Sequence, residues 1–177
     1  MRLLLDAGAN VLATNKRHQG PLVDFSAGGY VECVRQLLRF KADLHARDEF
    51  CSQPLYYAAL HGHEGCLQEL IGAGADVEAA DHYRITALMF VAHEGLEGCL
   101  RELMGAGADV EAADKDGSTA LIFAARTGQQ GCLRELIGAG ADIEAANSYG
   151  RTAFWWAKNQ GHEGCVRLLE EAAAIVK

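Results

Sequence analysis

No apolar run in this chain approaches the ~18 residues that a membrane-spanning helix needs. The opening "MRLLLDAGAN" reaches an aspartate after three leucines, too soon for the apolar region of a signal peptide. Only two prolines are present, and no Ser- or Pro-rich stretch, which leaves no obvious interdomain linker. Positive charge is in deficit: 16 Lys and Arg stand against 24 Asp and Glu, for a net charge of -8. That balance argues against duplex nucleic acid or an anionic membrane as partner and favours a basic or neutral protein surface. Catalytic signatures are missing as well. His93-Glu94 opens like a zinc-protease motif, but Glu97 stands where the second histidine belongs. No Ser or Cys has a nucleophile-elbow context. What the chain does have is 50% hydrophobic residues, enough for a packed core and too many for disorder.

It also has repetition. "GAGADVEAAD" at 72–81 recurs letter for letter at 105–114, and as "GAGADIEAAN" at 138–147, an offset of 33 residues. The same offset links Cys33, Cys66, Cys99, Cys132 and Cys165. It links Gly29, Gly62, Gly95, Gly128 and Gly161, and also Leu22, Leu55, Leu88, Leu121 and Phe154. Three ladders in one register define a tandem 33-residue repeat. The expected organisation is one repeat domain over 1–177, with units at 15–47, 48–80, 81–113, 114–146 and 147–177 after a partial unit at 1–14.

Each unit reads as two short helices. In "DKDGSTALIFAARTGQQGCLRELIGAGADIEAA", Thr119 is placed to cap a first helix whose Leu121, Ala124 and Ala125 share a face. Gly128 ends it, and Cys132, Leu133, Leu136 and Ile137 recur at helical spacing in the second. Pro21 and Pro54 fall just after the cap position, where a helix tolerates a missing N–H. Gly140 stands where a helix end needs positive φ. The glycines of "GAG" therefore follow a helix. A dinucleotide fingerprint needs a strand before them, so phosphate binding is excluded.

The stretches "GSTALIFAA", "GHEGCLQELIGAGADVEAAD" and "GHEGCVRLLE" resemble the ankyrin repeat, over essentially the whole chain. The resemblance implies an all-α solenoid of stacked helix-turn-helix units with projecting β-hairpin loops, and a concave protein-binding surface of hairpins and first helices. Departures are informative. No unit has the family's first-helix histidine; Val23, Tyr56, Met89, Ile122 and Trp155 stand there. Gly20 and Gln53 replace its threonine. Lys41 replaces the loop glycine and Asp24 an apolar residue, which makes 15–47 the weakest copy, leaning on its neighbour. The start inside a second helix is expected of a piece of a longer protein or of an incomplete gene product.

Several features invite chemistry. The cysteine ladder is read as small buried hydrophobes, since helices packed roughly 8–10 Å apart hold such residues beyond disulfide reach. Reduced thiols point to an intracellular, cytoplasmic setting. Cys51 stands off the ladder, in a loop, as the thiol most open to reaction, and is read as inert. His61, His63 and Cys66 are zinc-type ligands without the paired spacing of a zinc site, and His63 and His162 fill a structural Gly-His position of the resemblance. Asp76, Asp109 and Asp142, with Glu78, Glu111 and Glu144, are solvated loop charges or an acidic stripe steering a basic partner. Trp155 and Trp156 are expected to close the C-terminal end of the core, with a partner pocket as the other reading.

The units differ most at their tips: "DEFCSQ", "DHYRIT", "DKDGST" and "NSYGRT". Phe50, Tyr83 and Tyr149 share one tip position, where Arg17 and Asp116 stand in other units. Tip aromatics either bind a partner or pack back on the hairpin. The expected function is non-catalytic protein recognition, with Phe50, Tyr83 and Tyr149 as anchors and His82, Arg84, Asp116 and Arg151 as polar contacts. No catalytic residue, cofactor, metal or small-molecule substrate is expected, and the protein is expected as a monomer or within a hetero-complex. Two alternatives stand beside this: a recruitment segment of a larger enzyme or channel, and a metal protein or enzyme using His61, His63 and Cys66.

Overall fold

The computed structural model describes residues 10, 13–16, 19–50 and 52–175. Most of the partial unit at 1–14, together with Arg17 and Cys51, lies outside the described residues. The chain divides into two compact units, Met1–His82 and Tyr83–Lys177. Helices in both come in pairs at the 33-residue period. The first unit holds α1 (Pro21–Ala27), α2 (Val31–Arg39), α3 (Pro54–Leu60) and α4 (Glu64–Gly72). The second holds α5 (Ala87–Glu94), α6 (Glu97–Gly105), α7 (Ala120–Thr127), α8 (Gln130–Gly138), α9 (Ala153–Asn159) and α10 (Glu163–Ile175).

Helix starts follow local chemistry. Gly20 and Gln53 hold extended backbone as N-caps, and Pro21 and Pro54 follow at the first helical position. Thr86 and Thr152 accept the N–H of Met89 and Trp155 through their hydroxyls. Thr119 occupies the same cap position without making that bond, so its side chain is not the cap that the spacing suggests.

Two glycine ladders shape the turns. The glycines after the first helices all have positive φ: Gly29 72°, Gly62 69°, Gly95 77°, Gly128 77° and Gly161 74°. Space matters there as much as dihedral. A Cβ on Gly128 would lie 2.7 Å from the His162 ring, and one on Gly95 would lie 2.4 Å from the Gln129 amide. The second ladder closes the second helices. Past α8, Gly140 has φ 89°, its N–H donates to Ile137 O, and Ala141 N–H donates to Leu136 O. That pair of bonds satisfies carbonyls the helix end would otherwise orphan. Lys41 stands in the same place after α2 and holds φ 58° without a glycine's freedom.

Within each unit the first helices pack on one another and the second helices on one another. Leu67 and Leu70 in the first unit, and Leu100, Leu103, Leu133 and Leu136 in the second, are fully buried. Cys66, Cys99, Cys132 and Cys165 share that core. Burial pushes the thiols of Cys66 and Cys165 up, and that of Cys132 up to about 11.

Two outcomes follow from the backbone and the core. Lys41→Gly raises unfolding free energy by about 0.5–1 kcal/mol, the left-handed penalty less glycine's entropic cost. Gly128→Ala lowers it by about 1–3 kcal/mol, since strain and overpacking act together. Urea unfolding midpoints check both. At pH 8 the core thiols Cys66, Cys99, Cys132 and Cys165 resist a thiol reagent in the native state and react only when urea unfolds the chain; rapid native labelling of these four contradicts the assignment.

Candidate functional site

The tips begin with an acidic or amide side chain that folds the turn. Asp114 Oδ1 accepts the N–H groups of Asp116 and Ser118 at 2.9 and 2.7 Å. Asn147 Oδ1 accepts those of Tyr149 and Arg151, both at 3.1 Å. In the first unit Asp48 Oδ1 does the same for Phe50 and Ser52 at 2.9 Å. Short side chains that bond their own backbone are suited to this. The Asp48 carboxylate is held in turn by the Tyr57 hydroxyl, whose pKa burial pushes up to about 12. In the second unit single antiparallel bridges, Ala113 with Thr119 and Ala146 with Thr152, close the tips. The implied β-hairpins are thus tight turns with one bridge each.

Neighbouring tips of the second unit are wired together. Lys115 N–H donates to Tyr83 O at 3.0 Å, and Ser148 N–H donates to Asp116 O at 2.8 Å. This backbone registry leaves the side chains outward. Tyr83 is 67% exposed and Tyr149 65%; Phe50, in the first unit, is 53% exposed. The rings do not tuck beneath their own turns. His82 is exposed and donates through Nε2 to Glu49 O at 3.2 Å, within the first unit. Asp116 and Arg84 are exposed, and Arg151 is half-buried.

Arg84 carries a feature that residue type alone does not suggest. Its φ is 62°, at the position where Gly117 and Gly150 have 77° and 67°. An arginine in the left-handed region costs backbone energy that glycine would not.

Cationic side chains lie on aromatic faces along the second unit. The Arg151 guanidinium carbon is 4.5 Å from the Trp155 ring centroid, 5.3 Å from that of Trp156 and 5.6 Å from that of Tyr149. Arg126 lies 4.6 Å from the Phe123 centroid and 5.6 Å from that of Trp156. Contacts of this kind contribute about 0.5–1 kcal/mol at exposed sites and fix the guanidinium plane. Trp155 stands at the ladder position of Met89 and Ile122, each 1% exposed, yet is itself 38% exposed. The expectation that both tryptophans close the core is corrected for Trp155: its ring serves Arg151 at the surface. Trp156 is half-buried, with its indole N–H shielded and without an acceptor among the described residues.

Other candidates take structural roles. His63 Nε2 donates to Ala27 O at 3.0 Å, and His162 Nε2 donates to Arg126 O at 3.2 Å. Gln129 reaches His93 O in the same way at 3.2 Å. Each side chain thereby ties a second-helix start to the first-helix end of the preceding repeat. Cys66 is buried, and among the described residues no group of His, Cys, Asp or Glu is arranged to hold a metal ion. The loop aspartates build turns: Asp76, Asp109 and Asp142 accept the N–H groups of Glu78, Glu111 and Glu144 at 2.9–3.0 Å. Glu111 also accepts Asp142 N–H at 2.8 Å, so that acidic ladder is partly spent on its own backbone.

The site residue that periodicity alone misplaces is Trp155. The 33-residue offset from Ile122 assigns Trp155 to the core, whereas its contact with Arg151 depends on side-chain direction. Among the described residues no helix is long and apolar enough to cross a membrane. Compared with known proteins, the chain matches the family model for ankyrin repeats (3 copies) over residues 1–81 and again over 82–176. No curated protein matches it. Repeats of this family generally serve as protein–protein interaction modules. With paired helices at the 33-residue period and family matches across both units, the chain belongs to the ankyrin repeat family and is an all-α repeat solenoid.

Proposed function

We propose that this chain is a non-catalytic recognition module that binds a protein partner through its tips and first helices. In the second unit Tyr83, Arg84, Asp116, Tyr149 and Arg151 make the contacts; in the first, Phe50 and His82 do. The observation that carries this reading is the exposure of Phe50, Tyr83 and Tyr149 at one repeated tip position. Exposed rings held on hydrogen-bonded turns offer large contact area with little side-chain entropy to lose. Arg84 supports the same reading. Its side chain is retained where the next two repeats use glycine, a local cost that recognition would justify.

The test is alanine substitution at the second-unit tips. Tyr83→Ala with Tyr149→Ala leaves the unfolding free energy in urea within about 0.5 kcal/mol of the parent, because both rings are largely solvent-facing. Affinity for a partner falls at least tenfold, about 1.4 kcal/mol, in calorimetric titration. Unchanged affinity with a partner contradicts the tip assignment, and a large loss of stability returns the rings to a packing role.

A further inference from the structure

The net charge of -8 points toward a basic partner, but that charge is not evenly placed. In the second unit, the tip and first-helix segments (83–95, 114–128 and 147–160) carry five basic residues and three acidic ones. The second-helix and loop segments (96–113, 129–146 and 161–177) carry four basic residues and ten acidic ones. The sign of the recognition face therefore opposes the sign of the chain. Even the acids on that face are partly occupied: Asp114 Oδ1 takes two backbone N–H groups, and Glu94 is paired with His93 at 2.8 Å.

The arginines differ in the same way. Arg101, on α6, is paired with Glu97 and Glu135 at 3.7 and 3.1 Å. Arg126 and Arg151 have no carboxylate within ion-pair distance among the described residues; aromatic rings are their neighbours. A guanidinium lying on a ring has its plane fixed while its N–H edge stays available, which suits bidentate capture of a carboxylate. Both lie within 5.6 Å of one indole centroid, that of Trp156, so they form one cationic cluster bordered by the exposed Trp155 and Tyr149.

Building on the reading that this face binds protein, we infer that its partner is an acidic peptide segment. Aspartate or glutamate side chains of that segment pair with Arg126 and Arg151, and its apolar side chains lie on Trp155 and Tyr149. Arginine and aromatic faces also suit single-stranded nucleic acid. The ten acids on the remaining segments of the unit disfavour a polyanion, whereas a short segment reads only the cationic face.

Panning a random-peptide display library against the full chain tests this. The parallel targets are Arg126→Gln/Arg151→Gln, Arg126→Glu/Arg151→Glu and Tyr83→Ala/Tyr149→Ala, each confirmed folded by circular dichroism and urea midpoint. The parent enriches peptides of net negative charge. Their affinity falls at least tenfold in the Gln pair and with a rise from 50 to 200 mM salt, while the Glu pair enriches basic peptides instead. Enrichment of neutral or basic sequences by the parent, no enrichment at all, or acidic binders that keep their affinity for the Gln pair would each overturn the inference. Binders lost in the tyrosine variant but indifferent to the arginines leave the recognition surface standing and remove only its acidic specificity. Binders indifferent to both variants remove the surface as well. A fluorescent oligothymidine run alongside, if bound by the parent and lost in the Gln pair, assigns the face to single-stranded nucleic acid and overturns the peptide.

Discussion

A left-handed glycine at the end of each first helix is the constraint on which the repeat depends. Positive φ reverses the chain in the space of one residue, so that the second helix starts directly behind the first. The missing Cβ does a second job. It leaves room for His63 against Gly29, Gln129 against Gly95 and His162 against Gly128. Each of these side chains hydrogen-bonds a carbonyl near the end of the first helix of the preceding repeat. Turn and inter-repeat tie are thus one device, repeated at the period of the sequence. Buried leucines and cysteines then supply the apolar driving force, at about 25 cal/mol for each Å² removed from water.

Because the buried faces of both helices and the glycine turns carry the packing, the tips and the outer parts of the first helices are released from structural duty. Turn-forming Asp48, Asp114 and Asn147 hold the tip backbone, leaving Phe50, Tyr83 and Tyr149 facing water. This division of labour explains why the second helices and loops of three repeats are nearly identical while their tips differ. It also explains where charge accumulates. The second helices and loops use carboxylates to pair arginines and fold turns, and the face opposite is left with cations supported by rings.

Much of this is legible in the sequence, because it is carried by backbone. The 33-residue ladders show the helix pairs, the positive-φ positions and the buried cysteines directly. They also mark Lys41 as a residue in a glycine's place. The same logic applied to Gly117 and Gly150 marks Arg84. The site is less legible because it depends on rotamers. Trp155 occupies the ladder position of buried Met89 and Ile122, and nothing in that periodicity shows its ring turned to Arg151. The contact between Arg126 and Trp156 joins residues thirty apart through side-chain geometry alone. Net charge misleads for a related reason: a sum over the chain hides a face whose sign is opposite.

That local inversion of charge is the central claim, and the tryptophans report on it. Trp155 and Trp156 are the chain's only two, and both lie beside Arg151. Quenching their fluorescence with iodide and with caesium compares the local potential for an anion and a cation at matched ionic strength. The account predicts that iodide quenches more efficiently than caesium despite the protein's negative charge, and that Arg151→Gln narrows the difference. Stronger quenching by caesium, as a uniformly acidic surface would give, contradicts it.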